Sequence, residues 1–122
     1  MKRILTLVFC ALFLCSCGEE KKEELATVQP VTCAEMKELQ KDGAILIDVR
    51  TAVEYKAESI DGAINITVED IGNAVTSMFE DKNTKIIVYC KSGNRSATAA
   101  QTLIDLGYKN VYDLGGINNC AE

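Results

Sequence analysis

The chain has 122 residues, 48% of them hydrophobic and 25% charged, with six cysteines, one proline and no histidine. That length supports one ordinary globular core and excludes two. The composition excludes collagen-like and proline-rich disorder, nothing repeats at a solenoid period, and no imidazole is present to serve as a general base.

The first sixteen residues do not belong to the core. Lys2 and Arg3 precede the apolar run Ile4 to Leu14, eleven residues long, which has signal-peptide length and falls short of the roughly 20 residues that span a bilayer. An export signal over residues 1–16 is expected. It ends in Leu14-Cys15-Ser16-Cys17, which resembles the lipobox of bacterial lipoproteins: an aliphatic residue, two small ones, then the cysteine that is lipidated and becomes the new N-terminus. Cys15 fits less well, because Leu14 stands where a small residue is needed. Ordinary signal cleavage would leave Cys15 and Cys17 as spare thiols, and an apolar membrane-bound helix is a poor place for a metal held by Cys10, Cys15 and Cys17. The resemblance implies several acyl chains on Cys17, enough for stable anchoring to the cell envelope, on its periplasmic face or at the cell surface. Gly18, where an aspartate often retains such proteins in the inner membrane, points toward the outer membrane of a cell that has one.

Residues 17–27 form a charged tether, centred on Gly18 to Glu24, that cannot bury apolar area. Removing residues 1–16 takes away Lys2 and Arg3 and no acid, leaving 11 basic against 18 acidic side chains and a net charge of −7. Such a domain does not attract nucleic acid or anionic lipid by general charge, so any bound anion is held locally. A monomer without metal or cofactor is expected.

The domain occupies residues 28–122. Thr27 to Val31 reads as a short edge strand, where Pro30 is tolerated, and Thr32 caps a helix from about Cys33 to Lys41, with Glu35 completing a capping box. Gly43 ends it. Ala44 to Val49 is an aliphatic run of the kind buried on both faces of a sheet. Ala63 to Ile66 is a third strand, Val68 to Phe79 a helix, Lys85 to Tyr89 a fourth strand, Ala97 to Leu106 a helix ended by Gly107, and Asn110 to Leu114 a fifth strand. This alternation predicts an α/β fold: an open, mostly parallel sheet of about five strands with helices on both faces and right-handed crossovers. Ligands of such folds bind outside the carboxyl ends of the strands.

One loop stands at such an end: Tyr89-Cys90-Lys91-Ser92-Gly93-Asn94-Arg95-Ser96. A loop leaving a buried strand and entering a helix points successive backbone N–H groups inward, with the helix N-terminus behind them. That is an anion cradle. With Lys91 and Arg95 beside it, Cys90 is expected to ionise below the free-thiol value of about 8.5, giving a thiolate near neutrality without a general base. Gly93 permits the tight turn, and Arg95 can fork onto two oxygens of an oxyanion. The plainer reading of Cys90 is a small core hydrophobe, but a core cysteine has no need of the polar loop that follows it.

The sequence resembles the rhodanese family from about Pro30 to Cys120. The residues that carry the resemblance are Asp48-Val49-Arg50 with Glu54-Tyr55, Ile60 to Asn65, Cys90 to Ser96, and Asp113-Leu114-Gly115-Gly116-Ile117. Each piece is weak alone; their order and spacing are specific. The resemblance implies a sulfurtransferase in which Cys90 takes the outer sulfur of a donor such as thiosulfate, becomes a persulfide, and passes the sulfur to cyanide or a thiol. It makes Lys91, Ser92, Gly93, Asn94 and Arg95 the substrate cradle, with Ser96 opening the helix, and it makes Asp48 and Arg50 loop supports acting by ion pairing.

The sequence departs from the family in three places. Glu58 and Ser59 replace the usual glycine and histidine, Cys120 stands where a tryptophan usually follows the Gly-Gly pair, and Cys33 opens the first helix in place of a small polar residue. Export admits a Cys33–Cys120 bridge, though a core of this size is expected to fold without an obligatory one. If Cys17 is acylated, three thiols remain and at least one of them is free.

Alternative chemistries keep the fold. Related phosphatases and arsenate reductases have five residues between cysteine and arginine, whereas Cys90 and Arg95 have four between them, which favours sulfur. A non-catalytic binding module is disfavoured by retention of Cys90 and Arg95. Thiol redox exchange would require Cys33 or Cys120 to reach Cys90, and no C-x-x-C motif supports it.

Overall fold

Two Thr-x-x-Glu boxes and two long aliphatic runs organise the molecule, a computed structural model that describes residues 26–121. The export signal, Cys17 and most of the tether lie outside the described residues. The strands are β1 (Gln29–Pro30), β2 (Ile45–Asp48), β3 (Ile64–Asn65), β4 (Lys85–Cys90) and β5 (Asn110–Gly116). The helices are α1 (Cys33–Lys41), α2 (Ala52–Ala57), α3 (Ile71–Met78) and α4 (Asn94–Asp105), and a 3-10 turn closes the chain at Ile117–Cys120.

The five strands form one sheet in the order β1-β5-β4-β2-β3, and every neighbouring pair is parallel. The fold class is therefore α/β, as the alternating pattern predicts. Period-two alternation sorts the side chains of β4: Ile86, Val88 and Cys90 join the core under α3 and α4, while Ile87 and Tyr89 join the core that includes Met36 of α1. Both faces are covered, which is why β2 and β4 read as continuous apolar runs.

Chain order reverses between β2 and β4, because β2 leads outward to β3 and β4 leads the other way to β5. In folds of this kind such a reversal marks the ligand-binding end of the sheet, at the carboxyl ends of those two strands. The connections leaving them run into α2 and α4, so these two helices flank it.

Helix α1 has the predicted bounds, with Thr32 accepting from Glu35 N–H and Glu35 accepting from Thr32 N–H. Helix α2 goes unpredicted: it is six residues long and buries none of them, so apolar periodicity cannot reveal it. Its one signal is a second capping box, Thr51 with Glu54. The C-terminal 3-10 turn is a further addition, and β5 runs two residues beyond the expected Leu114. Cys33 and Cys120 are joined in a disulfide across 87 residues of sequence. It ties the start of α1 to the end of the 3-10 turn, packed against the α1-side core.

Candidate active site

The geometry around Cys90 follows from where β4 ends. Its last residue is buried, and the chain then turns through Gly93, whose φ of 102° suits glycine alone, into α4. The turn brings Gly93 N–H to 2.9 Å and Ser96 N–H to 3.3 Å from Cys90 Sγ. The sulfur thus occupies the anion position at the N-terminus of a twelve-residue helix. Burial pushes the Cys90 thiol up, but hydrogen bonds from Ser96, through its N–H and its hydroxyl, and from the Gly93 and Ser92 N–H groups outweigh burial and hold it below the ordinary value. The Ser96 hydroxyl has one proton and also lies 3.2 Å from Gly93 O, so it serves the sulfur or the turn.

Not every residue of the loop bonds the sulfur. Gly93, Ser96 and Ser92 face the sulfur, whereas Lys91 and Asn94 are exposed and give it no hydrogen bond among those that set its ionisation. Backbone amides lead in lowering the thiol, where the sequence reading credited the two cations as well. Arg95 does not stand open for an oxyanion either. Its guanidinium forks onto Glu54, Nη1 to Oε1 at 2.8 Å and Nη2 to Oε2 at 3.1 Å. This Arg95 pairing, followed by the Thr51 N–H, holds the Glu54 carboxyl down to about 2. Sequence reasoning left Glu54 out of the site; its signal was the Thr51-x-x-Glu54 box that also builds α2.

Asp48 and Arg50 are a buried pair, with Arg50 Nη2 2.7 Å from Asp48 Oδ2. They bond to each other and not to the 91–96 loop. Arg50 Nη2 also donates to Glu58 O at 2.6 Å, and Ile60 N–H donates to the Tyr89 hydroxyl at 3.0 Å. Burial pushes the Tyr89 phenol up, so it keeps its proton. The pair therefore supports the loop at one remove, by fixing the 58–60 segment against the residue that precedes Cys90. That support reaches Glu58 and Ile60 through backbone groups, which explains how Glu58 and Ser59 are accommodated.

On the other side, the close of β5 lies under the loop. A Cβ on Gly116 would sit 2.6 Å from Lys91 O and 3.5 Å from Ser92 Cα, so only glycine lets the two backbones meet. Cys120 fills the expected aromatic position as half of a disulfide and not as a free thiol. Among the described residues Cys90 is the free cysteine. A cleft of about 290 Å³ lies beside this region, lined by Lys37, Glu58, Ile60, Ile117 and Cys120 and not by Cys90.

A buried cysteine whose sulfur accepts from backbone N–H groups at the switch point of a parallel sheet defines a class, an α/β domain with a thiol in an amide cradle. Residues 32–122 match the Rhodanese-like domain family, and the chain belongs to that family. The thiosulfate sulfurtransferase PspE of Escherichia coli K12 is 36% identical over 75 residues, 62% of this chain and 72% of that protein. A tRNA uridine(34) hydroxylase of Hamiltonella defensa is 34% identical over 74% of this chain, which spans 27% of that enzyme. Among solved structures, a rhodanese with anions from E. coli superposes with a TM-score of 0.62 at 34% identity, covering 65% of this chain and 93% of that one.

Proposed function

We propose that the protein is a sulfurtransferase that moves sulfane sulfur from a donor such as thiosulfate to a thiol or cyanide through a persulfide on Cys90. The observation that carries the reading is the pair of N–H groups on Cys90 Sγ, 2.9 and 3.3 Å away. They favour the thiolate, and they are placed to hold the charge that a persulfide carries on its outer sulfur. In the first half-reaction the thiolate attacks the outer sulfur of thiosulfate. A Cys90 S–S bond forms, the donor S–S bond breaks, and sulfite leaves with the bonding pair. In the second, the acceptor thiolate or cyanide takes the outer sulfur and the Cys90 thiolate returns. No proton needs to move at either step, which suits a chain without histidine.

Cys90 is fully buried in the resting arrangement, so a donor enters by displacing what covers it. The test is the intact mass after brief exposure to thiosulfate. One extra sulfur atom is expected, mapping to Cys90 and removed by cyanide or a thiol reductant. Cys90→Ser abolishes adduct and turnover, and Arg95→Ala weakens donor use while sparing the fold. Hydrolysis of an aryl phosphate without a persulfide overturns the assignment, as do reversible disulfides at Cys90 alone.

We propose further that the protein is held on a membrane through a lipid on Cys17, a reading supported by the resemblance of Leu14-Cys15-Ser16-Cys17 to a lipobox. Cys17→Ala is expected to leave an unprocessed precursor without acyl mass, and unchanged acylation removes this part of the proposal.

A further inference from the structure

The Arg95–Glu54 pair carries an inference about which donors the site takes, and it rests on the sulfurtransferase reading above. Three cations stand near Cys90: Lys91 and Arg95 on its own loop and helix, and Arg50 on the neighbouring connection. Arg50 is spent on Asp48, and both are buried. Arg95 is forked onto Glu54 by two hydrogen bonds, with the two side chains 34% and 29% exposed. Lys91 is exposed. Among the described residues, two of these three cations are thus ion-paired and Lys91 is not.

Glu54 does not sit on Arg95 by accident of rotamer. Its Oε1 also accepts from Thr51 N–H at 3.0 Å and from Thr51 Oγ1 at 3.1 Å, so the carboxylate is fixed from the helix side whether or not Arg95 is present. It reaches from α2 to α4 across the switch point and presents to Arg95 the two oxygens that a bidentate oxyanion would otherwise supply. With its carboxyl held down to about 2, the charge persists across all usable pH, so the masking is constant.

We propose that Glu54 is a specificity-determining residue that weights the site against doubly charged oxyanion donors and toward singly charged sulfane donors of the alkyl persulfide class. A dianion must compete with a tethered carboxylate for Arg95 and feels its repulsion twice over, whereas RSS⁻ needs only the amide cradle. The step balances as before: the Cys90 thiolate attacks the outer sulfur of RSS⁻, the new S–S bond forms as the donor S–S bond breaks, and RS⁻ departs with the bonding pair.

The experiment compares Glu54→Gln with the parent protein on two donors, thiosulfate and 2-hydroxyethyl persulfide, with sulfur loading of Cys90 followed by mass in parallel. Glutamine retains the capping-box acceptor for Thr51 N–H, so α2 is kept. Its amide offers Arg95 no second anionic oxygen. The KM for thiosulfate is expected to fall about fivefold in E54Q, the worth of a partly exposed ion pair, while the persulfide KM and both kcat values stay within about twofold. A merely structural Glu54 would instead move both donors together. Parallel loss of kcat, or a thiosulfate KM that is unchanged or raised, overturns the selectivity role and leaves the sulfurtransferase reading intact, provided Cys90 is loaded. A Cys90 that neither donor loads removes both.

Discussion

Cysteine chemistry occurs twice at the carboxyl end of the sheet, on opposite faces, and the two places behave differently. On the α3–α4 face, Cys90 ends a strand and accepts from two backbone N–H groups. On the α1 face, Cys33 and Cys120 pack beside Met36, Tyr89 and Leu114 and are joined to each other. The same element is held in an amide cradle in one place and as a staple in the other. What differs is the backbone: a helix N-terminus aimed at the sulfur on one side, and two chain segments brought within bonding distance on the other. The β5 end links them, because Gly116 floors the Cys90 loop and the 3-10 turn that follows ends at Cys120.

The largest expected effect comes from opening the staple. Chain-entropy bookkeeping for a loop of 87 residues gives about 4.6 kcal/mol, and native disulfides typically deliver about 2–4 kcal/mol. A domain of this size holds roughly 5–10 kcal/mol in all. Cys33→Ser with Cys120→Ser, or mild reduction, is therefore expected to lower Tm by about 10–20 °C while leaving the domain folded at 25 °C. Circular dichroism through a thermal scan checks both parts. A loss of that size counts against the expectation, drawn from chain length, that the core suffices without the bridge, and unfolding at 25 °C on reduction would make the bridge obligatory.

A second change acts at the link. Gly116→Ala places a methyl 2.6 Å from Lys91 O, closer than any real contact, and Gly116 has an ordinary negative φ of −87°, so the clash is the whole effect. The loop must shift by a few tenths of an ångström or more, which is expected to cost about a hundredfold in kcat/KM with the disulfide retained. Steady-state rates beside a thiol count of the variant test this. Near-parental activity would mean that the two cysteine regions are mechanically independent.

The contrast also marks what the sequence could and could not disclose. The strands β2 and β4, the helix α1 and the cysteine loop are written in local pattern: aliphatic runs, a capping box, a glycine before a helix. The pairing of Cys33 with Cys120 and the seating of Arg95 on Glu54 are contacts across 87 and 41 residues, and local pattern has no register in which to record them. Helix α2 lies between these cases. It buries nothing, so it carries no periodicity, and its capping box alone announced it. The Asp48–Arg50 support was legible as an ion pair but not in its target, since it acts on backbone groups of Glu58 whose position depends on the folded chain.

The smallest expected effect separates amides from charges as the cause of Cys90 ionisation. The sequence places Lys91 beside the thiol, but Lys91 is exposed, and the hydrogen bonds that lower the thiol come from Ser96, Gly93 and Ser92. An exposed lysine is screened, so Lys91→Ala is expected to move the thiolate midpoint by less than about 0.5 unit. Hydrogen bonds from Ser96, Gly93 and Ser92 hold the folded thiol below its ordinary value, so the thiolate stabilises the fold above the unfolded midpoint, and the gain is lost as pH falls through the folded one. Sulfur uptake should follow the same curve, level above the midpoint and falling in proportion to thiolate below it. Thiolate ultraviolet absorbance against pH, taken as the difference from Cys90→Ser, reads the midpoint in the parent and in K91A. A shift of a full unit or more in K91A would assign the activation of Cys90 to side-chain charge, and the amide cradle would then serve the persulfide alone.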